Sequence, residues 1–250
     1  MIRIPGTISK ALLLTVFCAA LSSSPAWAAD DDDQPDALPT VMADFNRDGL
    51  PDMARVTESA NGNAGPTSGP ALLTVWLGQQ DGSFRPMGSH TQLGHEPRSM
   101  VARDFNGDGI PDLILGDGDG SVTEFLSDGT GNFVSTDVIA RFDSVASVAV
   151  GDFNHDGLPD LAVSDPTTNA LTVLLGVNRG SFRAIWTEHL IGLGKISHIA
   201  VADFTGDGVP DLAVTGDDDQ YMVLLGNGNG TFTYQPLLSN VKDPNSHCAA

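Results

Sequence analysis

Four stretches of this sequence place oxygen-bearing side chains at one spacing: DFNRDGLPD at 44–52, DFNGDGIPD at 104–112, DFNHDGLPD at 152–160 and DFTGDGVPD at 203–211. Counted from the first Asp, the oxygens fall at positions 1, 3, 5 and 9, with Gly at 6 and Pro at 8. A hard cation such as calcium takes about six to eight oxygens at about 2.3–2.6 Å, and a tightly curled loop turns alternate residues inward to supply them. The glycine permits the backbone angle of the curl. Position 7 can add its main-chain carbonyl, and the proline stiffens the approach to the last carboxylate.

The spacing therefore predicts about four Ca2+ sites. Their ligands are Asp44, Asn46, Asp48, the Leu50 carbonyl and Asp52 in the first loop, and Asp104, Asn106, Asp108, the Ile110 carbonyl and Asp112 in the second. The third loop offers Asp152, Asn154, Asp156, the Leu158 carbonyl and Asp160, and the fourth Asp203, Thr205, Asp207, the Val209 carbonyl and Asp211. A hydroxyl is a poorer ligand than an amide oxygen, so Thr205 makes the fourth site the weakest. Plain Asx turns account poorly for three carboxylates drawn together without a cation, because like charges repel. An EF-hand is excluded, since position 12 holds no Glu and the flanking runs are not helical.

What must position these loops is a repeat. A second motif trails each Asp motif: LGQQDGSF at 77–84, LSDGTGNF at 126–133, LGVNRGSF at 175–182 and LGNGNGTF at 225–232. The Asp motifs begin 60, 48 and 51 residues apart, and residues 59–70 of the first unit read as an inserted surface loop. Each unit holds four short runs rich in β-branched residues and bounded by Gly, Asp, Asn or Pro, which predicts four antiparallel strands. Units of about 50 residues with four strands are the pattern of a propeller blade. The Phe after the first Asp and the Phe closing the second motif recur in every unit and are assigned to packing within and between blades, as is Trp76.

The pair DFNxDGxPDL and LLGxGxGxF resembles the FG-GAP/VCBS repeat family of calcium-loop β-propellers, to which the integrin α-chain head belongs. The resemblance covers about Val41 to Pro236 and implies an all-β propeller of four four-stranded antiparallel blades, with each Asp loop joining the first two strands of a blade. Such propellers close with about seven blades, so four units form either a small closed ring or an arc that a homodimer completes.

The N-terminus reads as a secretory signal over residues 1–28, with Arg3 and Lys10, the apolar run 11–21 and small residues before a cleavage site after Ala28. A lipoprotein signal at Cys18 is the weaker alternative, because bulky Phe17 precedes it. The expected order is then an acidic leader at 29–37, the propeller domain at 38–240 and a tail at 241–250, in a secreted or periplasmic protein. Loss of the signal leaves 10 basic and 32 acidic residues, a formal charge of −22. Nucleic acid is excluded as a partner on that charge, and no segment after the signal is apolar for the roughly 20 residues that membrane insertion requires. Only Cys248 remains, so no intrachain disulfide supports the fold.

No nucleophile elbow, phosphate-cradling loop or paired acid and base stands out, which favours a non-catalytic binding, adhesion or scaffolding module for a protein or glycan. A small polysaccharide-active enzyme on a propeller scaffold is the alternative. Trp186, whose counterparts in the other units are Gly88, Asp137 and Pro236, is a candidate for stacking on a sugar or partner.

Overall fold

A computed structural model describes residues 38–58, 71–93, 97–178, 180–217 and 220–234. The expected signal, leader, inserted loop and tail lie outside these residues. The described chain contains sixteen strands in four separate four-stranded antiparallel sheets. Blade 1 is β1 (Thr40–Ala43), β2 (Asp52–Glu58), β3 (Ala71–Gly78) and β4 (Phe84–Gln92). Blade 2 is β5 (Pro97–Arg103), β6 (Asp112–Asp117), β7 (Ser121–Ser127) and β8 (Phe133–Arg141). Blade 3 is β9 (Ser147–Gly151), β10 (Asp160–Asp165), β11 (Ala170–Asn178) and β12 (Ser181–His189). Blade 4 is β13 (Ile196–Ala202), β14 (Asp211–Gly216), β15 (Tyr221–Gly226) and β16 (Phe232–Tyr234). In every blade the strands pair in chain order, which is the expected propeller meander.

Strand composition follows from how many faces are covered. β10, DLAVSD, is buried at every residue because it lies in the middle of a sheet with another blade against each face. The outer strand β12 has one face toward water and mixes exposed with half-buried residues. Alternation then assigns each side chain to a neighbour: on β6, Leu113 and Leu115 pack toward blade 1 while Ile114 packs toward blade 3.

Three seams result. One cluster joins blades 1 and 2 through Phe45, Val56, Leu73, Leu113 and Phe125. A second joins blades 2 and 3 through Phe105, Ile114, Val148, Leu161 and Leu174. The third joins blades 3 and 4 through Phe153, Leu171, Val173, Leu212 and Leu224. At each seam the Phe of one Asp loop meets the closing Phe of the next blade edge to face. The pairs are Phe45–Phe133 at 5.3 Å, Phe105–Phe182 at 6.0 Å and Phe153–Phe232 at 5.5 Å between ring centroids. The innermost strands pack in the order β1, β5, β9, β13, and no comparable packing of β13 on β1 occurs among the described residues.

Two residues assigned to the core from sequence depart from that assignment. Phe84 is 40% exposed, whereas Phe133 and Phe232 are 6% and 7% exposed. Trp76 is half-buried, whereas its counterparts Phe125, Leu174 and Leu224 are buried. Both residues sit on the face of blade 1 against which no other blade packs among the described residues, so the repeat logic that buries the others supplies nothing there.

Candidate metal centres in the Asp loops

Each Asp loop connects the first strand of its blade to the second, and its two ends are opposite one another in the ladder: Ala43 with Asp52, Arg103 with Asp112, Gly151 with Asp160 and Ala202 with Asp211. A short run must therefore reverse the chain. It does so by wrapping around the carboxylate at position 1. The Asp44 oxygens accept the Asp48 and Gly49 backbone N–H groups at 3.2 and 2.9 Å, and Asp104, Asp152 and Asp203 repeat the arrangement in the other loops. Asp48 in turn accepts the Leu50 N–H at 2.8 Å, as Asp108, Asp156 and Asp207 accept those of Ile110, Leu158 and Val209. The glycine at position 6 takes φ of 84°, 82°, 83° and 87° in the four loops, as the curl requires.

Position 3 divides the loops. The amide oxygens of Asn46, Asn106 and Asn154 accept the N–H of the position-5 Asp, and their NH2 groups donate to its carboxylate at 2.9, 3.0 and 2.8 Å. Thr205 cannot bridge both ways, and its hydroxyl donates to Asp203 instead. Position 4 is left-handed in all four loops, with Gly107 and Gly206 at 80° and 75° but Arg47 and His155 at 60° and 59°. Arg47 extends from the first loop and donates to the Asp108 carbonyl of the second, so these two Asp loops lie side by side.

The carboxylate at position 9 has a role that the spacing did not reveal. Asp52, Asp112, Asp160 and Asp211 have no exposed surface. One oxygen of each accepts the N–H of the Phe at position 2, at 2.9, 3.2, 2.7 and 2.9 Å. The other accepts an N–H from the second motif, from Gly78, Ser127, Gly176 and Gly226 at 2.8, 2.9, 2.8 and 2.9 Å. The two motifs recur as a pair because this aspartate ties them together. Burial raises the Asp160 carboxyl to about 6, with the charges of Asp156 and Asp152 adding to the rise and the Gly176 and Phe153 amides opposing it. Asp52, Asp112 and Asp211 are raised for the same leading reason.

The donor set of each loop suits a hard divalent cation in type and spacing: hard oxygens alternate along a curled chain, and the charges at positions 1 and 5 act on the carboxylate at position 9 in the first and third loops. In this structure the carboxylates at positions 1 and 5 are turned onto their own backbone amides. No three His, Cys, Asp or Glu side chains form a ready metal cluster among the described residues.

Two further side chains bear on function. Trp186 is half-buried, and its ring lies 5.6 Å from that of Phe232 in the next blade, so it is engaged in the seam between blades 3 and 4 rather than presented as an open stacking surface. Glu124 occupies the position held by Val75, Val173 and Val223 in the other blades, and is 5% exposed. Thr136 donates to its Oε2, while its Oε1 is buried with no hydrogen-bond partner. Burial foremost, and then the Asp112 charge, push its carboxyl up to about 7. An acidic residue in a valine register was visible in the sequence, once the third strands were aligned.

The model of the FG-GAP-like repeat matches residues 44–115, 104–163 and 153–214, three overlapping spans that each begin at an Asp motif. This chain belongs to the FG-GAP-like repeat family. Solved structures with a similar fold include two crystal structures of BBS1N in complex with ARL6DN, one soaked with lead and the other with mercury. They are 15% and 16% identical in sequence, with TM-scores of 0.52 and 0.51, and each covers 79% of this chain. The FG-GAP chain described here spans 55% and 52% of theirs, about half their length. The likeness is one of fold. No curated protein matches the sequence.

Proposed function

We propose that this protein is an exported, calcium-binding FG-GAP propeller that acts as a non-catalytic module for binding or adhesion to a protein or glycan. The carrying observation is the loop frame repeated four times. Each loop collects Asp and Asn or Thr oxygens on one rim, and a divalent ion would relieve the repulsion among them. Asp44, Asn46, Asp48 and the Leu50 carbonyl, with their counterparts in the other loops, would hold the ion. The position-9 aspartates keep their amide donors, two on Asp52 and Asp160 and three on Asp112 and Asp211, and add their remaining lone pairs. The bound ion would supply positive charge and rigidity, which turns four adjacent loops into one preorganised surface. That BBS1N is found in complex with ARL6DN supports a protein, rather than a glycan, as the kind of partner.

Calorimetric titration of the metal-stripped chain with calcium tests the reading. Uptake of about four equivalents is expected, with the fourth loop the weakest, and Asp152→Ala should remove one equivalent. Absence of uptake would refute the metal assignment. Capture of a protein or glycan without turnover supports a binding module, whereas turnover on a polysaccharide panel replaces it with the enzymatic alternative.

A further inference from the structure

A seam in this molecule has a fixed polarity. The trailing face of one blade offers the Asp-loop Phe, and the leading face of the next answers with its closing Phe and with a glycine that leaves no room for a side chain. Gly131, Gly180 and Gly230 are pressed against Met87, Glu124 and Leu175 of the preceding blade, so that a Cβ at any of them would collide. Gly180 and Gly230 also donate their N–H groups to the Phe105 and Phe153 carbonyls across the seam, both at 2.9 Å.

The leading face of blade 1 carries the same parts, and nothing among the described residues receives them. Gly82 has open space where its counterparts have a neighbour. Phe84 is 40% exposed and Met42 51% exposed, although Ala102, Val150 and Val201 at the position of Met42 pack into seams. The trailing face of blade 4 is the complementary half. Phe204 is buried in a small cluster with Ala213 and Val223, but faces no second aromatic ring among the described residues. Tyr221 and Leu225 remain partly exposed there, whereas Leu171 and Leu175 at the same positions of blade 3 are 0% and 8% exposed.

We propose that blade 1 of one copy of this chain docks on blade 4 of a second copy, twice in a two-fold pair, closing a ring of eight blades. The occupant is a second copy because the unmatched halves are complementary to each other and both belong to this chain. Eight blades lies within the range of about four to eight that propellers adopt, and a two-fold arrangement satisfies all four end faces at once. Charge agrees. Arg55 stands on the leading face of blade 1 where Leu115, Val163 and Val214 stand in the others, and brings a cation to a chain whose formal charge is −20. The inference is independent of the metal assignment.

Sedimentation equilibrium of the purified chain tests it, and a two-chain mass is expected. Phe84→Glu and Leu225→Glu alter partly exposed residues on the two end faces, and each alone should give the one-chain mass with an unchanged circular dichroism spectrum. Mixed in equal amounts they should recover pairs, because the untouched blade 4 of the first variant meets the untouched blade 1 of the second. Met42→Glu, at a still more exposed site, stands in for Phe84→Glu should that variant misfold. A one-chain mass for the native protein at all concentrations overturns the proposal. So do pairs that the variants leave intact and open-ended growth beyond two chains.

Discussion

Two single residues depart from the pattern of their repeats. His155 holds a left-handed backbone angle that two of the four loops assign to glycine. Left-handed geometry costs an L-residue about 1–2 kcal/mol, and glycine's extra chain entropy returns about 0.5–1 kcal/mol of that. His155→Gly should therefore stabilise the protein by about 0.5 kcal/mol, read from chemical denaturation. Arg47 is the less clean test, since it also donates to the Asp108 carbonyl. Glu124 has the opposite character, a carboxyl in a valine's place. Because its folded pKa, about 7, lies above the ordinary 4.5, the folded state binds the proton more tightly. Its contribution is most favourable below about pH 4.5 and declines as pH rises through about 7. Glu124→Gln should raise stability at pH 8 by about 2 kcal/mol, with partial screening included, and change it little at pH 4.5. Thermal melts at the two pH values check this.

At the scale of elements, the position-9 aspartate decides whether a loop and its blade hold together. Asp160→Ala strands two buried N–H groups, those of Phe153 and Gly176, and should cost about 3 kcal/mol. Asp160→Asn, which retains one acceptor oxygen, should cost less, and urea unfolding of both variants gives the comparison. The loops, the second motifs and the four strands of each blade were all legible from sequence, because Asp, Gly and Phe recur at fixed intervals and each has a local reason for its place. The tie between the motifs was not legible, since spacing shows that Asp52 and Gly78 recur together but not that one accepts the other's N–H. The ring contact of Trp186 was not legible for a related reason. Its counterparts are small or polar, which suggested exposure, but its surroundings are set by Phe232 of the following blade. The openness of Phe84 and Trp76 was also hidden, because a repeat in the sequence looks the same at the end of a row as in its middle.

For the whole molecule, stability is a chain of three seams, each dependent on the blades it joins. A calcium site held at tenfold excess over its dissociation constant adds about 1.4 kcal/mol, so several filled loops rival the net stability of a small domain. Addition of EGTA to the calcium-loaded protein should lower the calorimetric melting temperature markedly, and an unchanged melt would count against metal in the loops. The matched halves of the Phe45–Phe133, Phe105–Phe182 and Phe153–Phe232 contacts have a consequence for descent. Every blade carries both a plug and a socket of one gauge, so duplicating or deleting a unit of about 50 residues inserts or removes a piece that already fits its new neighbours. Lineages built on this unit are free to change length in whole steps without re-engineering a junction.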